Sequence, residues 1–293
     1  MLLYAPAGAA APATVPTADA SCLVRALPAI GLDELNEHAA LQDRIDVKYI
    51  VPLAQLALLV QGLGPVYRAL EIDGRRAFRY RTTYYDTADM LLVREHIQQR
   101  RRRFKCRKRR YLDSDRSVFE VKLKGTRGRT VKHAMACDPG DELRPEDAAF
   151  LRELLQRAYG RDLRETLRPS LVASCQRMTI AAPELGERLT YDVGLNFGGG
   201  RLDERFAIVE SKSSRGGARV DRALLAMGVR PVNGCSKYLL GMALTRDGVR
   251  DNNLRPLLRR YFASNTAGGG ATAGGAARSS SMTCTSTRVT SRT

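Results

Sequence analysis

Five segments of the chain alternate between charged and apolar residues, and this alternation constrains the fold more than any other feature. In the segment RIDVKYIV, Arg44, Asp46 and Lys48 occupy every second position, and apolar residues lie between them. Because successive side chains of a β-strand point to opposite faces of its sheet, this spacing predicts strands with one charged and one apolar face. The same pattern recurs in the segments RFKCRKR, VFEVKLKG, ERLTYDV and AIVESK.

The charged faces of these predicted strands are mostly cationic. The run RRRRFKCRKRR, at residues 100–110, holds nine cations in eleven residues. The members of this run that share one face are Arg103, Lys105, Arg107 and Arg109. A sheet with one solvated face would explain a single strand of this kind. Five such strands favour an α+β fold built on a closed antiparallel β-barrel of about eight strands, with cations inside and helices packed outside. Whether Arg100–Arg103 faces this interior or solvent is left open.

Three segments have the pattern of helices, and composition marks the limits of the folded part. The predicted helices are 52–61, with a proline at its start, 145–159, which ends before Gly160, and 219–227, which ends before Gly228. Residues 1–28 are rich in Ala and Pro, and residues 251–293 form a basic stretch rich in Gly, Ser and Thr. Both lack periodicity, so we predict a disordered leader and a disordered tail around one domain at 29–250.

The net charge and the cysteine content indicate the kind of binding partner and the cellular compartment. A net charge of +17 predicts a polyanionic partner. The chain has no Trp and only 6% aromatic residues, so it lacks the stacking surface of single-strand binders, and nucleic acid is not the expected partner. The six cysteines form no C-x-x-C pair, and neither a signal sequence nor a transmembrane segment is recognisable. We therefore expect a cytoplasmic protein, and leave a membrane-protein partner open.

Six motifs in order resemble the VTC-type polyphosphate polymerase domain, a member of the triphosphate tunnel metalloenzymes. They cover about residues 35–245 and read DRIDVKYIVP, TTYYDTADMLLVREH, RKRRY, FEVKLKGTRGRTVK, VESKSS and CSKYLLG. The resemblance implies an eight-stranded antiparallel tunnel with helices outside, in agreement with the alternation. One departure is that the first strand lacks the E-x-E-x-K signature of the wider superfamily, which favours the VTC branch over hydrolytic relatives with two metals.

The resemblance also implies a set of site residues. The catalytic cations that would grip a triphosphate are Lys48, Arg107, Arg109, Lys122, Arg177, Arg188 and Lys237. Further phosphate-binding positions are Lys132, Lys212 and Ser236, together with Lys105 and Lys124, which share the inward strand faces. Glu210 is implied as the ligand of Mn²⁺ or Mg²⁺. The chain has 40 arginines and only eight lysines, and five of those lysines lie at family positions, where a compact ammonium differs from a planar guanidinium.

The function implied is a polyphosphate polymerase that transfers the γ-phosphate of ATP to phosphate or to a growing polyphosphate chain. Phosphoryl transfer of this kind needs positioning and charge neutralisation rather than a protein nucleophile. Two alternatives stay open: an inorganic or nucleoside triphosphatase of the same fold, and a non-catalytic module that binds polyphosphate or nucleic acid.

Several other residues have more than one interpretation. The segment GTRGRT lacks the P-loop pattern and is predicted to be a hairpin turn. Asp192 could assist the metal or pair with a neighbouring cation. His96 and His133 are left as structural or catalytic groups.

Overall fold

The computed structural model describes residues 17–37, 45–125, 130–214, 216–249 and 252–264. Most of the predicted leader, the tail beyond residue 264 and the centre of the predicted GTRGRT turn lie outside the described residues. The strands in chain order are β1 Ala29–Ile30, β2 Ile45–Pro52, β3 Arg68–Leu70, β4 Phe78–Asp86, β5 Phe104–Tyr111, β6 Arg116–Lys124, β7 Thr130–Ala136, β8 Arg168–Ala182, β9 Glu187–Asn196, β10 Gly200–Leu202, β11 Phe206–Ser213 and β12 Phe262–Ser264. The α-helices are α1 Leu32–Glu37, α2 Leu53–Gln61, α3 Leu91–Ile97, α4 Pro145–Tyr159, α5 Arg219–Ala226, α6 Lys237–Thr245 and α7 Arg255–Tyr261.

Eight long strands form an antiparallel sheet in the order β2-β11-β9-β8-β4-β5-β6-β7. The short strands β1, β3, β10 and β12 extend it at the edges of β8 and β9. The fold is therefore α+β with an antiparallel sheet and several helices, as predicted.

The predicted closure into a barrel is not confirmed. In the part of the chain that the structure describes, no hydrogen bonds join β2 to β7, so the sheet is open between them. The edge of β2 is used differently, because the backbone N–H of Val232 donates to the carbonyl oxygen of Lys48 at 2.7 Å. The loop before α6 thus contacts the edge that a closing strand would need. Strand β7 is an exposed edge, and Val131 there is 47% exposed.

The apolar face of the sheet lies outward, under the helices. Buried residues of β5 and β6, including Phe104 and Phe119, share one core cluster with Leu151 and Leu155 of α4. A second cluster packs α2 and α5 against the opposite half of the sheet. This arrangement turns the charged faces toward the concave side. Lys108 is the exception in the cationic run, because it points outward and lies 2.8 Å from Asp147 of α4.

The three predicted helices correspond to α2, α4 and α5, whereas α3 was not predicted. Pro145 begins α4, and Gly160 ends it in a left-handed conformation at φ 59°. By contrast, α3 is stabilised by Asp86, whose carboxylate accepts hydrogen bonds from the backbone N–H groups of Leu92 and Val93 at 2.7 and 3.0 Å.

The packed part of the chain is longer than the predicted domain at 29–250. A 3-10 helix at Thr17–Val24 buries Val24, and the hydroxyl of Tyr191 donates to the carbonyl oxygen of Ala20 at 2.8 Å. After residue 250, α7 and β12 add to the fold, and β12 pairs with β10. No helix within the described ranges is both long and apolar enough to cross a membrane.

Candidate functional site

The concave face of the sheet lines a large cavity of about 1520 Å³. Fifteen Lys and Arg side chains but only six carboxylates line it, so its charge is strongly positive. The structure brings all of the predicted site residues to this cavity: Lys48, Lys105, Arg107, Arg109, Lys122, Lys124, Lys132, Arg177, Arg188, Glu210, Lys212, Ser236 and Lys237. Their individual roles remain predictions.

The first cluster of charges surrounds Glu120 on β6. This side chain is only 2% exposed and accepts a hydrogen bond from Nε of Arg107 at 2.5 Å. Nζ of Lys132 lies 3.1 Å from its carboxylate, and Nη2 of Arg109 lies 3.9 Å away. Burial opposes ionisation, but these three cations hold the pKa of Glu120 well below its ordinary value. The carboxylate is therefore ionised and orients the arginines toward the cavity.

A second cluster surrounds Asp192 on β9. Arg177 donates two hydrogen bonds to its carboxylate at 2.6 and 2.7 Å, and Nζ of Lys237 lies 2.7 Å from it. Burial acts against the charge, yet the two cations hold the pKa of Asp192 far below its ordinary value. Nζ of Lys237 also lies 3.0 Å from the sulfur of Cys175. In this structure Asp192 thus pairs with cations, which is one of the two roles that the sequence left open.

The third cluster surrounds Glu210 on β11, the predicted metal ligand. One oxygen accepts a hydrogen bond from Lys48, and the other lies 2.8 Å from Nζ of Lys212. Lys212 is also 3.1 Å from Asp46. Within the described ranges, no three His, Cys, Asp or Glu side chains come together as a metal site. A divalent ion at Glu210 would therefore need phosphate oxygens and water as its other ligands, which is how Mg²⁺ is commonly bound.

Lys105 and Lys122 differ from the other cations because they form no ion pair or hydrogen bond with any residue that the structure describes. They lie opposite each other on β5 and β6. Burial, followed by the charges of Arg107 and Lys48, lowers the pKa of Lys105 to about 8. Arg107, followed by burial, lowers the pKa of Lys122 well below its ordinary value. An anion bound between these two ammonium groups would offset the repulsion from the neighbouring cations and so counteract both shifts.

One wall of the cavity combines arginine with tyrosine. The guanidinium groups of Arg109 and Arg177 lie 5.4 and 5.6 Å from the ring centre of Tyr80. Nε of Arg109 is buried and has no hydrogen-bond partner among the described residues. A buried donor of this kind is costly to leave unpaired, so the wall is suited to an anionic ligand.

The remaining predicted residues are held by neighbouring backbone groups or helix ends. Arg188 donates to the carbonyl oxygen of Leu35 at 3.0 Å. The hydroxyl oxygen of Ser236 accepts a hydrogen bond from the backbone N–H of Leu239 at 3.2 Å and so caps α6. That capping bond leaves the hydroxyl proton available to a ligand.

The two histidines are separated by the fold. His96 lines the cavity, and its Nδ1 lies 2.9 Å from the carbonyl oxygen of Leu92. Burial, then the charge of Lys105, lowers the pKa of His96 to about 4, so its ring is neutral near pH 7. His133 pairs opposite Val121, on the outward face of the sheet.

The alternation places Arg103 on an inward strand face, and the resemblance places Glu120 on one through the motif FEVKLKGTRGRTVK, but no binding role was predicted for either residue. Both line the cavity.

Comparison with known proteins gives one family. A family model described as the VTC domain matches residues 43–246 of the chain. No curated protein matches it. Solved structures to which the chain is similar include a candidate adenylate cyclase from Vibrio parahaemolyticus, at 12% identity and a TM-score of 0.39, covering 64% of this chain and 90% of that chain. A candidate adenylyl cyclase from Hippeastrum, described as having a dominant triphosphatase activity, shows 17% identity and a TM-score of 0.44, covering 71% of this chain and 99% of that chain. These two structural similarities are too weak to carry an argument about function.

Proposed function

The chain belongs to the VTC domain family, and on that premise we propose that it is a polyphosphate polymerase. In this proposal the γ-phosphate of ATP is transferred to phosphate or to the end of a growing polyphosphate chain. The observation that carries it is the cavity, where cations greatly outnumber carboxylates and the half-buried Lys105 and Lys122 form no ion pair with any described residue. A chain of phosphates supplies the repeated negative charge that such a surface lacks.

In this proposal, the three carboxylate clusters hold the cations of the site in position before the substrate binds. Glu120, Asp192 and Glu210 each hold two or three cations in place before a substrate arrives. Groups that are positioned in advance need no reorganisation as charge develops on the phosphoryl oxygens. Arg107, Arg109 and the other cations would share the phosphate oxygens with these carboxylates.

The unpaired pair Lys105 and Lys122 has a separate part in this proposal. A phosphate group between them would favour their protonated forms, so binding would take up protons near neutral pH. Lys48 on β2 and Lys132 on β7, the two end strands of the sheet, both line the cavity. We propose that a bound phosphate chain spans this opening, so that sheet and substrate together make a closed tunnel.

Glu210 is the residue that would hold a divalent ion. Its two oxygens are paired with the ammonium groups of Lys48 and Lys212. These two side chains would have to move aside for the ion to bind. When bound, Mn²⁺ or Mg²⁺ would neutralise charge on the phosphate oxygens of the substrate. The orientation of the substrate is left to the arginines and lysines of the cavity walls.

The test is to incubate the purified protein with ATP and either Mn²⁺ or Mg²⁺ and to separate polyphosphate from orthophosphate on a gel. We expect long chains as the product. Release of orthophosphate alone would identify a triphosphatase, and tight binding of tripolyphosphate without turnover would identify a binding module. If the protein neither binds tripolyphosphate nor consumes ATP, the cavity is not a phosphate site and the proposal is wrong.

A further inference from the structure

The first four residues of the cationic run, Arg100–Arg103, are not explained by the cavity alone. They connect α3 to β5 at the opening of the cavity, and we call this segment the arginine rim. Arg103 lines the cavity together with Gln99. Arg100, Arg101 and Arg102 are exposed. The arginine rim therefore continues the positive charge of the cavity onto the outer surface.

The arginine rim is a well-defined turn. The side chain of Arg103 donates a hydrogen bond to the carbonyl oxygen of Arg100 at 2.7 Å. The backbone N–H of Arg100 donates to the backbone carbonyl oxygen of Glu95 at 2.9 Å. The hydroxyl of Tyr159 donates to the carbonyl oxygen of Arg103 at 2.8 Å, which ties the turn to α4. Gln99 adopts a left-handed backbone conformation at φ 53°, which is uncommon for a residue with a side chain. This fixed backbone keeps like charges close together.

The arginine rim lacks the acidic partners that several other surface arginines have. Arg94, Arg144 and Arg157 each form an ion pair with an Asp or Glu. None of the four side chains of the arginine rim forms one with any carboxylate in the described ranges. Four neighbouring cations without counter-charges repel each other, and an external polyanion would relieve that repulsion.

Positive charge also continues from the arginine rim along the wall of the cavity. Next to Arg103 the cavity wall continues with Lys105 on β5 and Lys124 on β6. Burial, then the charge of Arg103, lowers the pKa of Lys124. A linear polyanion that leaves the cavity past Lys124 would meet the arginine rim next.

We propose that the arginine rim binds the part of a polyphosphate chain that extends beyond the cavity. This inference rests on the proposed function, because it needs a chain that is held inside at the same time. Short tripolyphosphate would occupy the cavity without reaching Arg100, Arg101 and Arg102, whereas a long chain would contact these exposed arginines as well. The arginine rim would therefore add affinity for long chains only, through release of counterions from each contacted phosphate.

The experiment compares the affinities of tripolyphosphate and of long-chain polyphosphate for the full chain and a double variant, Arg100→Gln with Arg101→Gln. The matched control is Arg259→Gln with Arg260→Gln, which removes the same charge from two adjacent exposed residues of α7. We expect the first variant to bind long chains roughly ten-fold more weakly at low salt, with a salt dependence smaller by about two contacts. Its affinity for tripolyphosphate should be unchanged, and the control should match the wild type for both ligands.

The outcomes separate this inference from the proposed function. If the wild type does not bind tripolyphosphate, the proposed function fails and this inference fails with it. If tripolyphosphate binds but both variants lose equal affinity for long chains, the effect is net charge and the arginine rim is not a site. Loss of binding only to RNA or to vesicles of anionic lipid would assign the arginine rim to another partner and overturn the inference. Arg100→Lys with Arg101→Lys should keep most of the long-chain affinity.

Discussion

Glu120→Gln should destabilise the empty protein and make it more dependent on a bound polyanion. The substitution keeps the shape of the side chain but leaves Arg107, Arg109 and Lys132 facing each other without their shared counter-charge. Removing one partner of a buried ion pair costs roughly 3–5 kcal/mol, and the low end applies here because the cations border an open cavity. A loss of about 3 kcal/mol corresponds to a fall in Tm of roughly 6–12 °C for a domain of this size.

The assay is thermal unfolding with and without saturating tripolyphosphate. Since the ligand binds the folded state, it should raise the Tm of both proteins, and it should raise that of Glu120→Gln by more. The control is Glu184→Gln, which removes an exposed carboxylate 3.2 Å from Arg68 and should change stability by less than about 1 kcal/mol. A Glu120→Gln protein with the Tm of the wild type would refute the reasoning, because it would show that the clustered cations do not need their carboxylate.

Three further predictions concern the substrate, pH and packing. Glu210→Gln should retain tripolyphosphate binding while metal-dependent turnover of ATP falls on the order of 100-fold, and a variant with the turnover of the wild type would contradict this role. Arg109→Ala should weaken tripolyphosphate binding itself roughly ten-fold, and an unchanged affinity would contradict that role. Because the pKa of Lys105 is lowered to about 8, the affinity for tripolyphosphate should fall as pH rises through about 8 and this ammonium loses its proton. Titration calorimetry should show a smaller fall in affinity for Lys105→Arg, and identical pH profiles of the two proteins would exclude Lys105 as the cause. Gly241→Ala should lower the free energy of unfolding by roughly 1–3 kcal/mol, because the added Cβ would overlap a methyl carbon of Leu171. Chemical denaturation measures this loss, and an unchanged midpoint would show that α6 can move away from β8.

The amino-acid sequence by itself determined which side chains share the concave face. The period of two in β2, β5, β6, β9 and β11 requires no long-range information, because a strand places alternate residues on opposite faces wherever it lies. The predicted positions on these five strands could therefore be assigned to one face before the strand order was known, whereas Lys132, Arg177, Ser236 and Lys237 were placed by the family resemblance. Helix α4 was equally predictable, since Pro145 and Gly160 mark its ends locally.

Only the tertiary structure decided how the charges on that face are paired and whether the sheet closes. Lys48 and Glu210 are 162 positions apart in the chain, and their contact depends on the pairing of β2 with β11. Helix α6 packs closely on β8, and that contact has no local sequence signal. The edge of β2 is contacted by a distant loop, because the backbone N–H of Val232 donates a hydrogen bond to the carbonyl oxygen of Lys48. Strand periodicity is a local property of the backbone, whereas ion pairing and closure depend on which distant segments become neighbours.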